Sequence, residues 1–360
     1  MFFEEHAKLL SDFARVSQAA GARADYVQGG GGNTSVKLPG GLMAIKASGF
    51  CLSDIHPDQA YAVLDGADLR NFYLTTEPSE LADVEKEGSA RAKADVRHID
   101  GLADLRPSVE AGFHSILKTF VVHTHSVYAN LAACSTACRP IAAQAFAGAA
   151  YTWGWVPYTD PGANLTFAIR DELRRVEEKT GKVPSVILMQ NHGIIVHDDG
   201  AERCLAIHAD ASERLAQQFG IHGDSFPAIS VRQAGEELYE ADTPYLREAL
   251  KNCRYDYKTF IETPLYPDQM VFLIGTFFMD KEGTPAEGEC YADTRTGALV
   301  LHMGEKKAKT ITETLTAVIF IMDTVAKMGY TVSTMGEAAK SFIANWESEK
   351  YRKSLAGKKG

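Results

Sequence analysis

Two histidines two residues apart, His123 and His125, end the β-branched run Phe120-Val121-Val122, and His192 follows a second run of the same kind, Val183 to Gln190. Residues i and i+2 of a strand share a face, so one strand aims both imidazoles at one point, as a tetrahedral cation requires. His192 is the best candidate for a third nitrogen, with a parallel neighbouring strand expected to bring its end beside the first. Three protein ligands leave one position open for substrate, the arrangement of a catalytic rather than a structural zinc. Spacing alone leaves two readings level, because His-x-His pairs also arise by chance.

Other residues carry a chemical and a plain reading side by side. Glu110, in Arg106-Pro107-Ser108-Val109-Glu110, stands where a helix is expected to start with Ser108 as N-cap. It suits a carbon acid/base beside a metal, or an ordinary first-turn glutamate favoured by the helix dipole. The run Gly29-Gly30-Gly31-Gly32-Asn33 is neither G-x-G-x-x-G before a helix nor a Walker sequence, so a flexible turn is its default. Ser48 and Gly49 alone are turn residues, and Tyr158 alone is a packing residue. His114, four residues after Glu110, is either support for it or a satisfied core histidine, while His98, His197 and His208 show no partner.

The elements that must position these groups alternate. Phe3 to Ala20 has apolar residues at helical spacing, with Gly21 expected as a left-handed cap. Val36 to Leu38 and Leu42 to Lys46 read as a hairpin around Pro39-Gly40-Gly41, Asp83 to Asp104 as a charged connection, and Leu165 to Thr180 and Ala201 to Phe219 as surface helices. The pattern changes near residue 225. Beyond it Thr259 to Met279 is β-like, Gly283 to Leu301 has short strands between turns, Thr310 to Met328 is an apolar helix, and Glu347 to Gly360 is a basic, solvated end. We therefore expect domains at 1–224 and 225–360. The 360 residues, 45% hydrophobic and 23% charged, have a globular balance, and the net charge of −10 disfavours nucleic acid. No apolar run reaches the roughly 20 residues of a membrane span. No secretory signal is readable and the six cysteines are scattered, so a cytoplasmic protein with reduced thiols is expected.

The ordered series Gly29 to Asn33 with Ser35 and Lys37, Lys46-Ala47-Ser48-Gly49, Pro107 to Glu110, His123-Thr124-His125, Tyr158-Thr159-Asp160-Pro161-Gly162 and Asn191-His192-Gly193 resembles the class II aldolase/adducin family. The resemblance runs over roughly residues 5 to 220. It implies an α/β fold, an αβα sandwich with a mostly antiparallel sheet, in place of the parallel neighbours read above. It implies His123, His125 and His192 as ligands of Zn2+ or another divalent metal, and Glu110 as catalytic acid/base. Gly32, Asn33, Ser48, Gly49 and Ser108 become an anion subsite, and Tyr158 a residue that reaches a neighbouring subunit's site in a homo-oligomer, expected as a tetramer. The implied activity is cleavage of a ketose 1-phosphate, such as a 6-deoxy sugar phosphate, to dihydroxyacetone phosphate and an aldehyde. Val109 departs from the pattern of two hydroxyls before the glutamate, which leaves decarboxylation of a 3-oxo sugar-acid phosphate as an alternative. A non-catalytic adducin-like interaction module is a third reading. Residues 225–360 resemble, more loosely, the α+β extension of bifunctional rhamnulose-phosphate aldolase/dehydrogenase proteins, either covering the active site or mediating assembly.

Overall fold

The computed structural model describes residues 1–345, and the tail expected from Glu347 to Gly360 lies outside them. Strands β1 (Asn33–Lys37), β2 (Leu42–Lys46), β3 (Tyr61–Asp65), β4 (Val96–Arg97), β5 (Phe120–Thr124), β6 (Trp153–Val156), β7 (Val186–Met189) and β8 (Gly193–Asp198) form one sheet in the order β4-β3-β2-β1-β5-β8-β7-β6. Every neighbouring pair is antiparallel except β6 with β7.

Side chains alternate across this sheet as a period of two demands. Val36, Ala44, Val122, Ile194 and Val196 face one way, against the Ala7–Gly21, Val127–Ala133 and Ala201–Gln217 helices. Met43, Ile45, Val121, Ile187 and Ile195 face the other, against the Gly66–Thr75, Ala111–Ile116 and Ala163–Thr180 helices. The result is an αβα sandwich. Its strands are apolar on both faces because helices cover both.

A second sheet follows, with strands β9 (Val231–Gly235), β10 (Leu238–Ala241), β11 (Phe277–Met279), β12 (Cys290–Asp293) and β13 (Ala298–His302) in the order β11-β12-β13-β10-β9. It packs with the Glu305–Lys327 helix, and one continuous apolar core runs from the first face of the large sheet through this helix into the small sheet. The middle of the helix, Ile311 to Met322, is buried all round, threonines included. Thr312 and Thr316 donate their hydroxyls to the carbonyls of Ala308 and Thr312, at 2.9 and 2.7 Å, so neither is left without a partner in apolar surroundings. Among the described residues no helix is long and apolar enough to cross a membrane.

Four local expectations change. The strand beside β5 is β8, and the pair is antiparallel, with Thr124 opposite Ile194. The end of β5 therefore meets the start of β8, and His192 arrives from the β7–β8 turn rather than from the end of a parallel strand. The first helix is split into Phe2–Glu5 and Ala7–Gly21, and Gly21 is helical; a Cβ there would lie 2.5 Å from the Ser53 nitrogen. Asp83 to Asp104 contains the Val84–Ala94 helix and β4. Most of Thr259 to Met279 is helical, as Tyr257–Glu262 and Pro267–Leu273. The Asp256 carboxylate caps the first by accepting from Thr259 N at 2.9 Å, and Pro267 opens the second, where its missing N–H costs nothing.

Candidate metal centre

Along β1 the residues Asn33, Ser35 and Lys37 share one face, the one covered by the Ala111–Ile116 helix, and Asn33 pairs with His123 of β5. The left-handed Gly32 (φ 64°) brings the loop in: a Cβ there would stand 2.6 Å from the His123 carbonyl. Gly193 plays the same part from the other side, with a Cβ position 2.3 Å from the Thr124 carbonyl. Asn191, also left-handed (φ 51°), makes the turn that delivers His192.

The three rings converge, with centroids 5.0 to 5.2 Å apart, and one nitrogen of each lies within 4.8 Å of the others. All three are buried. His123 gives its Nδ1–H to the Ile194 carbonyl (3.1 Å), which leaves Nε2 as a buried lone pair with no hydrogen-bond partner. His125 gives Nδ1–H to the carboxylate of Asp268 (2.5 Å), again freeing Nε2. Glu110 lies alongside, Oε2 at 3.5 Å from His123 Nε2 and Oε1 at 3.4 Å from His192 Nε2. Buried lone pairs aimed at one point beside a carboxylate are costly in a protein that leaves them so, and they fit a divalent cation.

Glu110 owes its direction to a turn. Ser48 N donates to Arg106 O and Ser108 N to Lys46 O, at 2.9 and 3.1 Å, stitching the two segments together. The Ser108 hydroxyl accepts from Glu110 N (3.3 Å), and the helix starts only at Ala111, with Glu110 rather than Ser108 in the capping position. Asn33 then secures the carboxylate, donating Nδ2 to Glu110 Oε2 at 2.6 Å and to Ser108 Oγ at 3.1 Å. Its orientation is set by His114, whose Nε2–H meets Asn33 Oδ1 while Nδ1 accepts from the Ser35 hydroxyl at 2.7 Å.

Burial disfavours imidazolium and pushes His123 to about 4 and His192 to about 3, so both rings are neutral at pH 7, the form that binds metals. Burial also opposes the Glu110 carboxylate, but the positive potential of His123 and His192 and the Asn33 amide outweigh it and hold the carboxyl at about 2. With the rings neutral, a cation is what would supply that potential near pH 7, and the Asn33 hydrogen bond is the share the protein provides.

Of the other expected residues, Gly32, Asn33 and Ser108 join the centre directly. Ser48 and the left-handed Gly49 (φ 88°) stand in the adjoining turn, where the Ser48 hydroxyl donates to Pro107 O at 3.0 Å. Tyr158 donates its hydroxyl to Asp160 (3.2 Å) and packs against the apolar cluster of Met270, Met335, Ala339 and Ile343. Three further residues support the centre without a role assigned to them from the sequence. Buried Lys46 donates Nζ to the carbonyls of Gly30 (3.1 Å) and Phe50 (2.7 Å), bracing the glycine loop; Glu313 accepts from Gly29 N at 3.0 Å; Asp268 holds His125. Lys46 was legible from its place in the Lys46-Ala47-Ser48-Gly49 motif, but nothing local marks the other two. A cleft of about 480 Å3 opens behind the loop at Arg23, Gly29 and Glu313, and none of the three imidazoles lines it.

A sequence profile of the Class II Aldolase and Adducin N-terminal domain matches residues 11–219. No functionally curated protein matches the chain. Among solved structures, it is similar to the N-terminal Class II Aldolase domain of a conserved protein from Thermoplasma acidophilum, at 20% identity and a TM-score of 0.47, covering 57% of this chain and 91% of that one. It is similar to YgbL of Escherichia coli, a putative aldolase/epimerase/decarboxylase, at 20% identity and a TM-score of 0.41, covering 63% and 95%. The l-fuculose-1-phosphate aldolase of Thermus thermophilus matches at 15% identity and a TM-score of 0.36, covering 58% and 93%.

Proposed function

Because the chain belongs to the Class II Aldolase and Adducin family, we propose that it is a metal-dependent lyase that breaks a carbon–carbon bond beside a carbonyl, an aldolase acting on a ketose 1-phosphate. The observation that carries this reading is the set of three buried imidazoles converging beside Glu110. His123, His125 and His192 would hold the cation, and an all-nitrogen set suits zinc. A divalent cation there supplies Lewis acidity for the negative charge that develops on oxygen as the bond breaks.

The remaining work falls to the chain. Glu110, ionised at neutral pH, is the base that moves a proton on and off carbon, and Asn33 keeps its Oε2 in place. Gly32, Gly49, Ser48 and Ser108 line the side from which an anionic end of the substrate would be held through backbone N–H groups and hydroxyls. Tyr158 acting across a subunit boundary, and a tetramer to supply that boundary, are part of the same proposal.

Val109 gives a second reading specific support. It offers no hydroxyl next to Ser108, and the Asn33 amide is already engaged by Glu110. Decarboxylation of a 3-oxo sugar-acid phosphate uses the same charge stabilisation.

One experiment separates these. Zinc-loaded protein is assayed with a panel of ketose 1-phosphates for released dihydroxyacetone phosphate and with 3-oxo acid phosphates for CO2. Glu110→Gln should retain the metal and lose at least about 100-fold in turnover, while unchanged turnover would remove Glu110 from the chemistry. A folded chain that binds no metal would favour the interaction module instead.

A further inference from the structure

The C-terminal half does more than cover the sandwich. Its segment from Leu265 to Leu273 grips two of the three histidines. The Leu265 carbonyl accepts from Asn191 Nδ2 at 2.8 Å, and so does the Ser333 carbonyl, fixing the turn that presents His192. Three residues further on, Asp268, 1% exposed, accepts from His125 Nδ1 at 2.5 Å. Space for that carboxylate exists because residue 31 is glycine: a Cβ there would fall 2.2 Å from Asp268 Oδ2 and 3.1 Å from His125 Nδ1. The helix is itself anchored, with Gln269 accepting from Leu265 N and donating to Phe260 O, both at 2.8 Å, and with the buried Tyr266 hydroxyl meeting Gln28 Oε1 at 3.1 Å.

We propose that Asp268 is the positioning residue of the metal centre. Its carboxylate fixes His125 as the Nδ1–H tautomer and turns Nε2 towards the cation, so the site is complete only with the C-terminal half in place. The inference rests on the reading that the three histidines hold a divalent cation. Asp268 touches the ligand His125, so its role is read first in metal affinity and then in turnover.

The test uses the full chain, stripped of metal and titrated with zinc against a chromophoric chelator. Asp268→Ala should bind zinc 10- to 100-fold more weakly than wild type. Asp268→Asn, which keeps an acceptor of the same shape, should recover part of that loss, and it carries the test if the alanine variant does not fold. Imidazole 15N spectra of metal-free, histidine-labelled protein report the tautomer directly: His125 should carry its proton on Nδ1 in wild type and lose that preference in Asp268→Ala, which a purely structural role would not produce. Wild-type affinity and an unchanged tautomer in both variants would overturn the assignment while leaving the metal site standing. A wild type that binds zinc no better than His123→Ala would overturn both.

Discussion

An imidazole offers two nitrogens, and its use depends on what holds the second. His123 is held by a strand carbonyl and His125 by a carboxylate, whereas His114 spends both nitrogens on the protein and so serves Asn33. Replacing His114 by phenylalanine keeps a planar ring but leaves Asn33 Oδ1 and the Ser35 hydroxyl short of a partner. We expect His114→Phe to lose about 1–3 kcal/mol of stability in denaturant titration, and to lower kcat because the Asn33 amide is no longer locked onto Glu110. Lost stability with wild-type kcat would make His114 a core residue only. At this scale the sequence was generous. His123 and His125 are legible because two residues on a strand must share a face, and Glu110 because its neighbours form a recognisable motif. Asp268 is illegible: it lies 143 residues from its partner, between a proline and a glutamine that mark only a helix start.

At the level of elements, composition misled where end signals decided. Thr259 to Met279 has the β-branched and aromatic residues of strands, yet Asp256 and Pro267 supply helix starts, and burial of Met270 and Leu273 one helical turn apart fixes the outcome. The parallel pairing expected beside β5 failed for a related reason, since Asn191 in its left-handed conformation turns β7 straight back into β8. Gly21 offers a test of element against packing. In a helix Gly→Ala ordinarily stabilises by about 0.5–1 kcal/mol, but here the new methyl would meet the backbone of Leu52 and Ser53. We expect Gly21→Ala to destabilise by about 1–3 kcal/mol, measured by thermal or urea unfolding; a gain in stability would show that the Leu52–Asp54 turn gives way freely.

For the molecule as a whole, buried neutral histidines set its response to acid. Burial lowers His197, His208 and His192 to about 3 and His123 to about 4, against about 6.5 when unfolded. Above pH 6.5 these groups are neutral in both states and their share of stability is complete. Below it the unfolded chain takes up protons that the folded chain refuses, so stability drains as pH falls towards 4 and then 3. Metal-free protein should therefore unfold at steadily lower urea concentration between pH 7.5 and 5, and a flat profile over that range would contradict these burial effects. The long separation between His125 and Asp268 has one more consequence, in time rather than in space. A ribosome delivers all three histidines before the aspartate, and the roughly 75 residues between His192 and Asp268 take about 4–15 s to synthesise at 5–20 residues per second. Until then the nascent chain lacks the carboxylate that holds His125.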